Sequence, residues 1–158
     1  MTQDVLPASH RVPPPRVFDR LHLASLGAYL VPLGRLLFTL IFLQSVPMHF
    51  SAQGIEYAAA AGTPLANLLV PLSGVLVLLG GLSVLLGYHA RIGALLLALF
   101  LLPVTLIMHD FWNVTDPGMA HMQQVMFMKN VSMFGATLLL LHFGTGPLSI
   151  DAMRTRRL

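Results

Sequence analysis

Side chains able to do chemistry gather in one stretch, MHDFWNVTDPGMAHMQQVMFMKN, from Met108 to Asn130. It contains His109 and His121, Asp110 and Asp116, the single Trp and the single Lys of the chain, and five of its nine Met. His109 beside Asp110 is a pairing that can tune an imidazole for proton transfer. Lys129, followed by Asn130, brings a positive charge and an amide, and Lys129 can pair with Asp110 or Glu56. Imidazole and thioether together suit copper, and His49, His121 and Met122, with Met48 and Met119, are the residues that would supply such a site. No dense repeated Met motif accompanies them, and Met also fills irregular gaps between helices, so no metal is expected. Trp112 has a plainer reading as an interfacial ring, and Lys129 as a side chain that snorkels to the interface.

One further residue stands apart. Arg35 lies inside a long apolar run, where a charge at the bilayer centre costs roughly 2.5–3.5 kcal/mol on insertion scales. It reads either as a snorkelling or carbonyl-capping side chain or as an anchor for an anionic or carbonyl-bearing ligand. The candidate polar or ligand site is therefore Arg35, His109, Asp110, Trp112, Lys129 and Asn130, with no catalytic residue assigned.

The elements that must position these residues are apolar helices. Of 158 residues, 56% are hydrophobic and 9% charged, against about 25% charged in soluble domains. Mean hydropathy is +0.77. A span needs roughly 20 mostly apolar residues. Four runs qualify, at about 26–46, 66–87, 92–108 and 124–143, and none alternates like a strand. The fold class is therefore all-α, an integral membrane four-helix bundle. Residues 1–20, with Val12–Arg16 reading VPPPR, form a polar, Pro-rich tail; 21–151 form the transmembrane domain; 152–158 form a basic tail.

Charge sets the orientation. Arg11, Arg16 and Arg20 precede the first span, Arg91 lies between the second and third, and Arg154, Arg156 and Arg157 follow the fourth. The links at about 47–65 and 109–123 carry no Lys or Arg. Positive charge stays inside, so the N and C termini are expected in the cytoplasm and the longer links outside. This places the protein in the inner (cytoplasmic) membrane as a multi-pass chain. The pI near 10 does not imply nucleic acid, because the basic residues sit at the ends with no basic face interleaved with aromatics. The chain lacks cysteine, which removes thiol redox chemistry, disulfides and thiolate ligation.

Gly74 and Gly81, and Gly80 and Gly87, are spaced to share helix faces and allow close packing. Pro32, Pro71 and Pro103 fall within spans, where each removes a helix hydrogen bond. TDPG at 115–118 reads as turn chemistry, making Asn113–His121 a loop between two helix ends.

Read in order, GRLLFTLIF, GIEYAAAAGTP, LLGGLSVLLGYHARIGALLLALF, HDFW and FMKNVSMFGATLLLLHFGTGPLSID resemble the DoxX family of four-helix membrane proteins. The resemblance runs from Gly34 to Asp151. His49 stands where many members have Lys, and Val77 where many have Glu. The family is related to the small subunit of thiosulfate:quinone oxidoreductase. The resemblance implies a redox-associated protein acting with quinone or a membrane oxidoreductase complex. The alternative it leaves is a non-catalytic accessory or assembly subunit, with a small-molecule or metal handler as the third reading. Membrane lipid is an expected partner, other membrane or extracytoplasmic subunits are implied, self-association stays open, and no nucleic acid is expected.

Overall fold

A computed structural model describes residues 23–155, with side chains described from 27 to 154. The Pro-rich tail and Arg156 and Arg157 lie outside the described residues. Six α-helices and one 3-10 turn make up the described chain: α1 Leu23–His49, α2 Ala52–Ala60, α3 Ala66–Leu86, α4 Ala90–Met108, the turn Phe111–Asn113, α5 Pro117–Phe143 and α6 Ile150–Thr155. The segments of α1, α3, α4 and α5 are long and apolar enough to cross a membrane. The fold is thus an all-α bundle of four membrane-length helices. Helices satisfy their own backbone groups, which a bilayer cannot do for them.

The packing runs α1 on α3, α3 on α4 and α4 on α5. Among the described residues, no comparable packing joins α5 back to α1. Adjacent glycines on α3 serve different neighbours. A Cβ on Gly80 would come within 2.9 Å of the Gly93 carbonyl oxygen on α4, whereas one on Gly81 would meet the Leu43 side chain of α1 at 2.8 Å. Missing side chains at these two positions let α3 approach both partners closely. Around this contact lies the core of Phe42, Val77, Val84, Ala94, Leu97 and Leu101. Phe42 meets Phe38 and Phe100 edge-on, with ring centroids 5.3 and 6.4 Å apart.

Glycines also fix the register of α1 against α3. Gly81 faces Leu43, Gly74 faces His49, and Gly87 faces Arg35. The expectation that Gly80 and Gly87 share a helix face is therefore corrected. Helix α3 stops at Leu86, and Gly87 is its cap at φ +66°. Left-handed backbone of this kind favours glycine at a helix end.

The same register corrects the depth of Arg35. It is level with the cap of α3 and the loop after α5, at the end of the bundle, and not at its centre. Helix α1 runs on beyond it, so the apolar run containing Arg35 is longer than the crossing it makes. His49 moves the other way. Its partner Gly74 lies eight residues inside α3, or roughly 12 Å at 1.5 Å per residue. His49 is therefore well below the outer end, away from the loops with which it was grouped.

Two expected links contain helix. Within 47–65, α2 begins at Ala52, capped by Ser51, whose hydroxyl accepts from the Gly54 amide at 3.0 Å. At the other outer link, α5 begins at Pro117 and not near 124. Asp116 is its N-cap, accepting from the Met119 amide at 2.8 Å. Asp at the N-cap followed by Pro in the first turn is a helix-start pattern. The DPG sequence here opens a helix, and His121 lies within α5. That lengthens the fourth membrane helix by about two turns.

The end of the bundle that carries Arg35 and the α3–α4 turn is tied together by the segment after α5. Asp151 accepts from the amides of His89 and Ala90 at 3.0 and 3.3 Å, and its own amide donates to the Gly87 carbonyl at 2.9 Å. A carboxylate at the start of α4 satisfies free amides and suits the helix dipole. Arg91 donates to the His142 carbonyl at 3.1 Å, covering the C-terminal end of α5. Arg154 stacks over Tyr88, 4.9 Å from the ring centroid.

Candidate functional site

The side chains singled out in the sequence do not assemble into one site. His109 bonds Gln123 at 2.8 Å between Nδ1 and Oε1. Asp110 accepts from the Asn113 amide at 2.9 Å. Lys129 is exposed and its Nζ contacts the Met126 sulfur at 3.4 Å, which places it with its own helix and not with Asp110 or Glu56. Asn130, next in sequence, turns inward and is buried. Trp112 is half exposed, and its ring meets Phe111 and Phe127 edge-on, with centroids 5.1 and 5.8 Å away. This aromatic cluster suits a membrane–water interface. His49 lies deep in the bundle, while His121 and Met122 are exposed on α5. Among the described residues, no three His, Asp or Glu side chains converge to hold a metal ion.

Arg35 is the exception in burial. Only 5% of its surface is exposed. Nη2 donates to the Leu148 carbonyl at 2.6 Å, and Nη1 reaches the Thr145 carbonyl at 3.5 Å. Nε has no hydrogen-bond partner. The expected carbonyl-capping role is present, on the loop after α5.

The half of the bundle beneath α2 contains a feature that the sequence does not show. A cavity of about 370 Å³ lies between α1, α3 and α4, beneath α2. Its floor is Phe100 and Leu76, and α2 roofs it with Gly54, Tyr57 and Ala58. Leu69, Leu72 and Leu99 line it and are also exposed on the flank of the bundle. The cavity therefore communicates with the face that meets lipid. At the outer mouth, the Thr63 hydroxyl contacts the Met108 sulfur at 3.6 Å, joining the α2–α3 link to the end of α4.

Local sequence accounts for the space. Pro47, Pro71 and Pro103 interrupt α1, α3 and α4, all at cavity level. Each removes the amide that would bond the carbonyl four residues earlier and adds a ring against that turn. Gly54 allows α2 to fold back under its own link, since a Cβ there would collide with the Met48 carbonyl. Small residues at 54 and 58 then keep the roof thin. Prolines at matched depth on antiparallel helices were the available signal. Pro47 lies just past the first apolar run, and the register that brings it to cavity level is not legible in the sequence.

One polar pair faces this apolar space. His49 Nδ1 lies 2.9 Å from Ser73 Oγ, and Ser73 Oγ lies 2.6 Å from the Val70 carbonyl. The carbonyl can only accept, so the Ser73 proton goes to Val70, and His49 Nδ1–H is the donor to Ser73. The His49 ring packs edge-on against Phe100, with centroids 5.5 Å apart. An imidazole that donates to serine does not activate it as a nucleophile. The pair marks a polar point on the wall and not a hydrolytic dyad.

Comparison with known proteins agrees with the membrane architecture and changes the family. The SURF4 family profile matches residues 22–156. Inner membrane protein YphA of Escherichia coli K12 is 30% identical over 97 residues, 61% of this chain and 69% of that protein. T02E1.7 of Caenorhabditis elegans, described as uncharacterized, is 32% identical over 70 residues, 44% of this chain and 25% of that protein. No solved structure matches. The DoxX resemblance is overturned by the family match, and the redox and quinone role drawn from it falls with it. The motifs that carried it have local structural work. Gly80 and Gly81 are packing contacts, the Gly-x-Gly and Ser-x-Asp segment forms the loop and cap at the Arg35 end of the bundle, and Val77 is a fully buried core residue. The chain is a multi-pass inner-membrane protein, and it belongs to the SURF4 family.

Proposed function

We propose that this protein binds a membrane lipid, taking one acyl chain into the outer cavity beneath α2. The observation that carries the reading is the cavity itself. Its volume lies within the roughly 300–1,000 Å³ typical of ligand sites, and its walls are apolar apart from a few hydroxyls and His49. Its flank is built from leucines that face lipid, so acyl chains are the apolar molecules at highest local concentration. Burying a chain there costs little hydrophobic energy relative to the bilayer. Selectivity would come from shape and from dispersion contacts with the walls. The His49–Ser73 pair would bias the choice toward a chain or head region able to meet a polar group.

Native mass spectrometry of the full chain released from mild detergent tests the reading. The wild-type protein should retain one lipid that Val104→Trp does not, because the indole fills space lined by Val104. Equal lipid retention by a folded Val104→Trp protein would refute it.

A further inference from the structure

We infer that the cytoplasmic end holds a second, independent site, in which Arg35 binds the phosphate of an anionic phospholipid whose acyl chain lies between α1 and α5. A groove of about 400 Å³ separates these helices. Its apolar walls include Val31 and Phe38 from α1 and Leu139, Leu140 and Phe143 from α5, while Arg35 and the Gly144–Gly146 loop close its end. This is the edge of the bundle where α5 does not pack back on α1.

The charge at the end of the groove is unbalanced. Among the described residues no carboxylate lies within salt-bridge distance of Arg35. Of its five N–H donors, only Nη2 makes a short bond. The Nη1 contact of 3.5 Å with Thr145 is at the limit of a hydrogen bond, and Nε has none. A buried cation is costly unless it is paired. A phosphate entering along the groove would take the Nη1 donor now stretched toward Thr145. Charge-assisted contacts of guanidinium with phosphate are among the stronger hydrogen bonds. A second cation flanks the same loop, for Arg91 Nε lies 3.9 Å from the position of a Cβ on Gly144.

Depth favours a lipid as the source of the phosphate. Arg35 is level with the helix ends at 87 and 143–145, where headgroups lie, and the groove continues from there along apolar residues. The site does not depend on the outer cavity, and the two can fail separately.

The test is lipid retention from an equimolar mixture of phosphatidylglycerol and phosphatidylethanolamine, read by native mass spectrometry on the full chain. Wild type should enrich phosphatidylglycerol about ten-fold, the size of one good charged contact. Arg35→Gln should bring the ratio to parity. Gly34→Leu supplies a variant that keeps Arg35. A Cβ at Gly34 meets nothing within 4 Å, leucine favours helix, and the added side chain fills the groove. It should also lose the enrichment. Leu79→Ala, on the lipid-facing surface away from both spaces, sets the background. Equal retention of the two lipids by wild type would overturn the inference, as would enrichment surviving in Gly34→Leu. Displacement of the bound lipid by millimolar glycerol phosphate would also overturn it, by showing that a soluble phosphate suffices.

Discussion

Gly80→Ala and Gly81→Ala add the same methyl group to neighbouring positions of one helix, yet should differ in cost. At Gly80 the new carbon would sit 2.9 Å from the Gly93 backbone oxygen and 3.0 Å from two Leu97 carbons. Neither the α4 backbone nor the fully buried Leu97 can yield without moving α4. At Gly81 the nearest atom is the end of the Leu43 side chain at 2.8 Å, which has rotamers available and is only partly buried. Overpacking against rigid neighbours costs about 1–3 kcal/mol. Replacing glycine by alanine in a helix returns up to about 1 kcal/mol in water. Gly80→Ala should therefore be destabilising by about 1–2 kcal/mol, while Gly81→Ala should fall near zero. For a chain of this size that difference is about 2–8 °C in midpoint, measurable as helix loss on heating in mild detergent. A Gly81→Ala protein as destabilised as Gly80→Ala would refute the assignment of the α3–α4 contact as the closer and stiffer one.

Three further outcomes follow from the geometry. Asp151→Asn should lower stability by about 0.5–2 kcal/mol, because the carboxylate caps the His89 and Ala90 amides at the start of α4; thermal unfolding in detergent reads this. Ser73→Ala removes the hydroxyl that accepts from His49 Nδ1–H and leaves the Val70 carbonyl as the acceptor within reach, so it should cost about 0.5–1.5 kcal/mol, with Ser73→Thr retaining most of the stability. Gly87→Ala should be among the most damaging glycine substitutions, since φ is +66° and a Cβ would collide with Ser149 and Arg35; proteolysis of the α3–α4 turn should rise well above wild type.

The bundle was legible because membrane helices write themselves in length and composition. Runs of about twenty apolar residues, the absence of alternation and the distribution of Arg around them were sufficient for four helices and for an expected orientation. Errors arose where depth depended on register. Arg35 reads as a mid-membrane charge if its apolar run is centred in the bilayer, but Gly87 fixes it at the bundle end. His49 reads as a loop residue, but Gly74 draws it roughly 12 Å inward. Both shifts come from α1 sliding along α3, which is a property of two surfaces and not of either sequence segment. The DPG sequence misled for a local reason: the same three residues open turns and helices, and the side-chain bond from Asp116 to the Met119 amide selects the helix.

The outer cavity was not legible for a related reason. Gaps are made by residues that are absent from a place, and a one-dimensional pattern does not show which prolines share a level. Of the polar residues expected to share a site, Lys129 and Asp110 find partners within four residues, and His109 at the end of α4 pairs across to Gln123 on α5. The DoxX resemblance draws on Gly-Gly, Lys-Asn and Gly-x-Gly in sequence order, but Gly-Gly serves helix packing and Gly-x-Gly serves loop closure at the Arg35 end of the bundle.

The most direct test of the central claim is photocrosslinking in membranes with a phospholipid carrying a diazirine near the end of one acyl chain, followed by peptide mapping. The account predicts labelling of buried and half-buried cavity residues such as Val70, Ser73 and Phe100, reduced by Val104→Trp. Labelling spread over outward leucines such as Leu68, Leu79 and Leu138, with none inside the cavity, would contradict it.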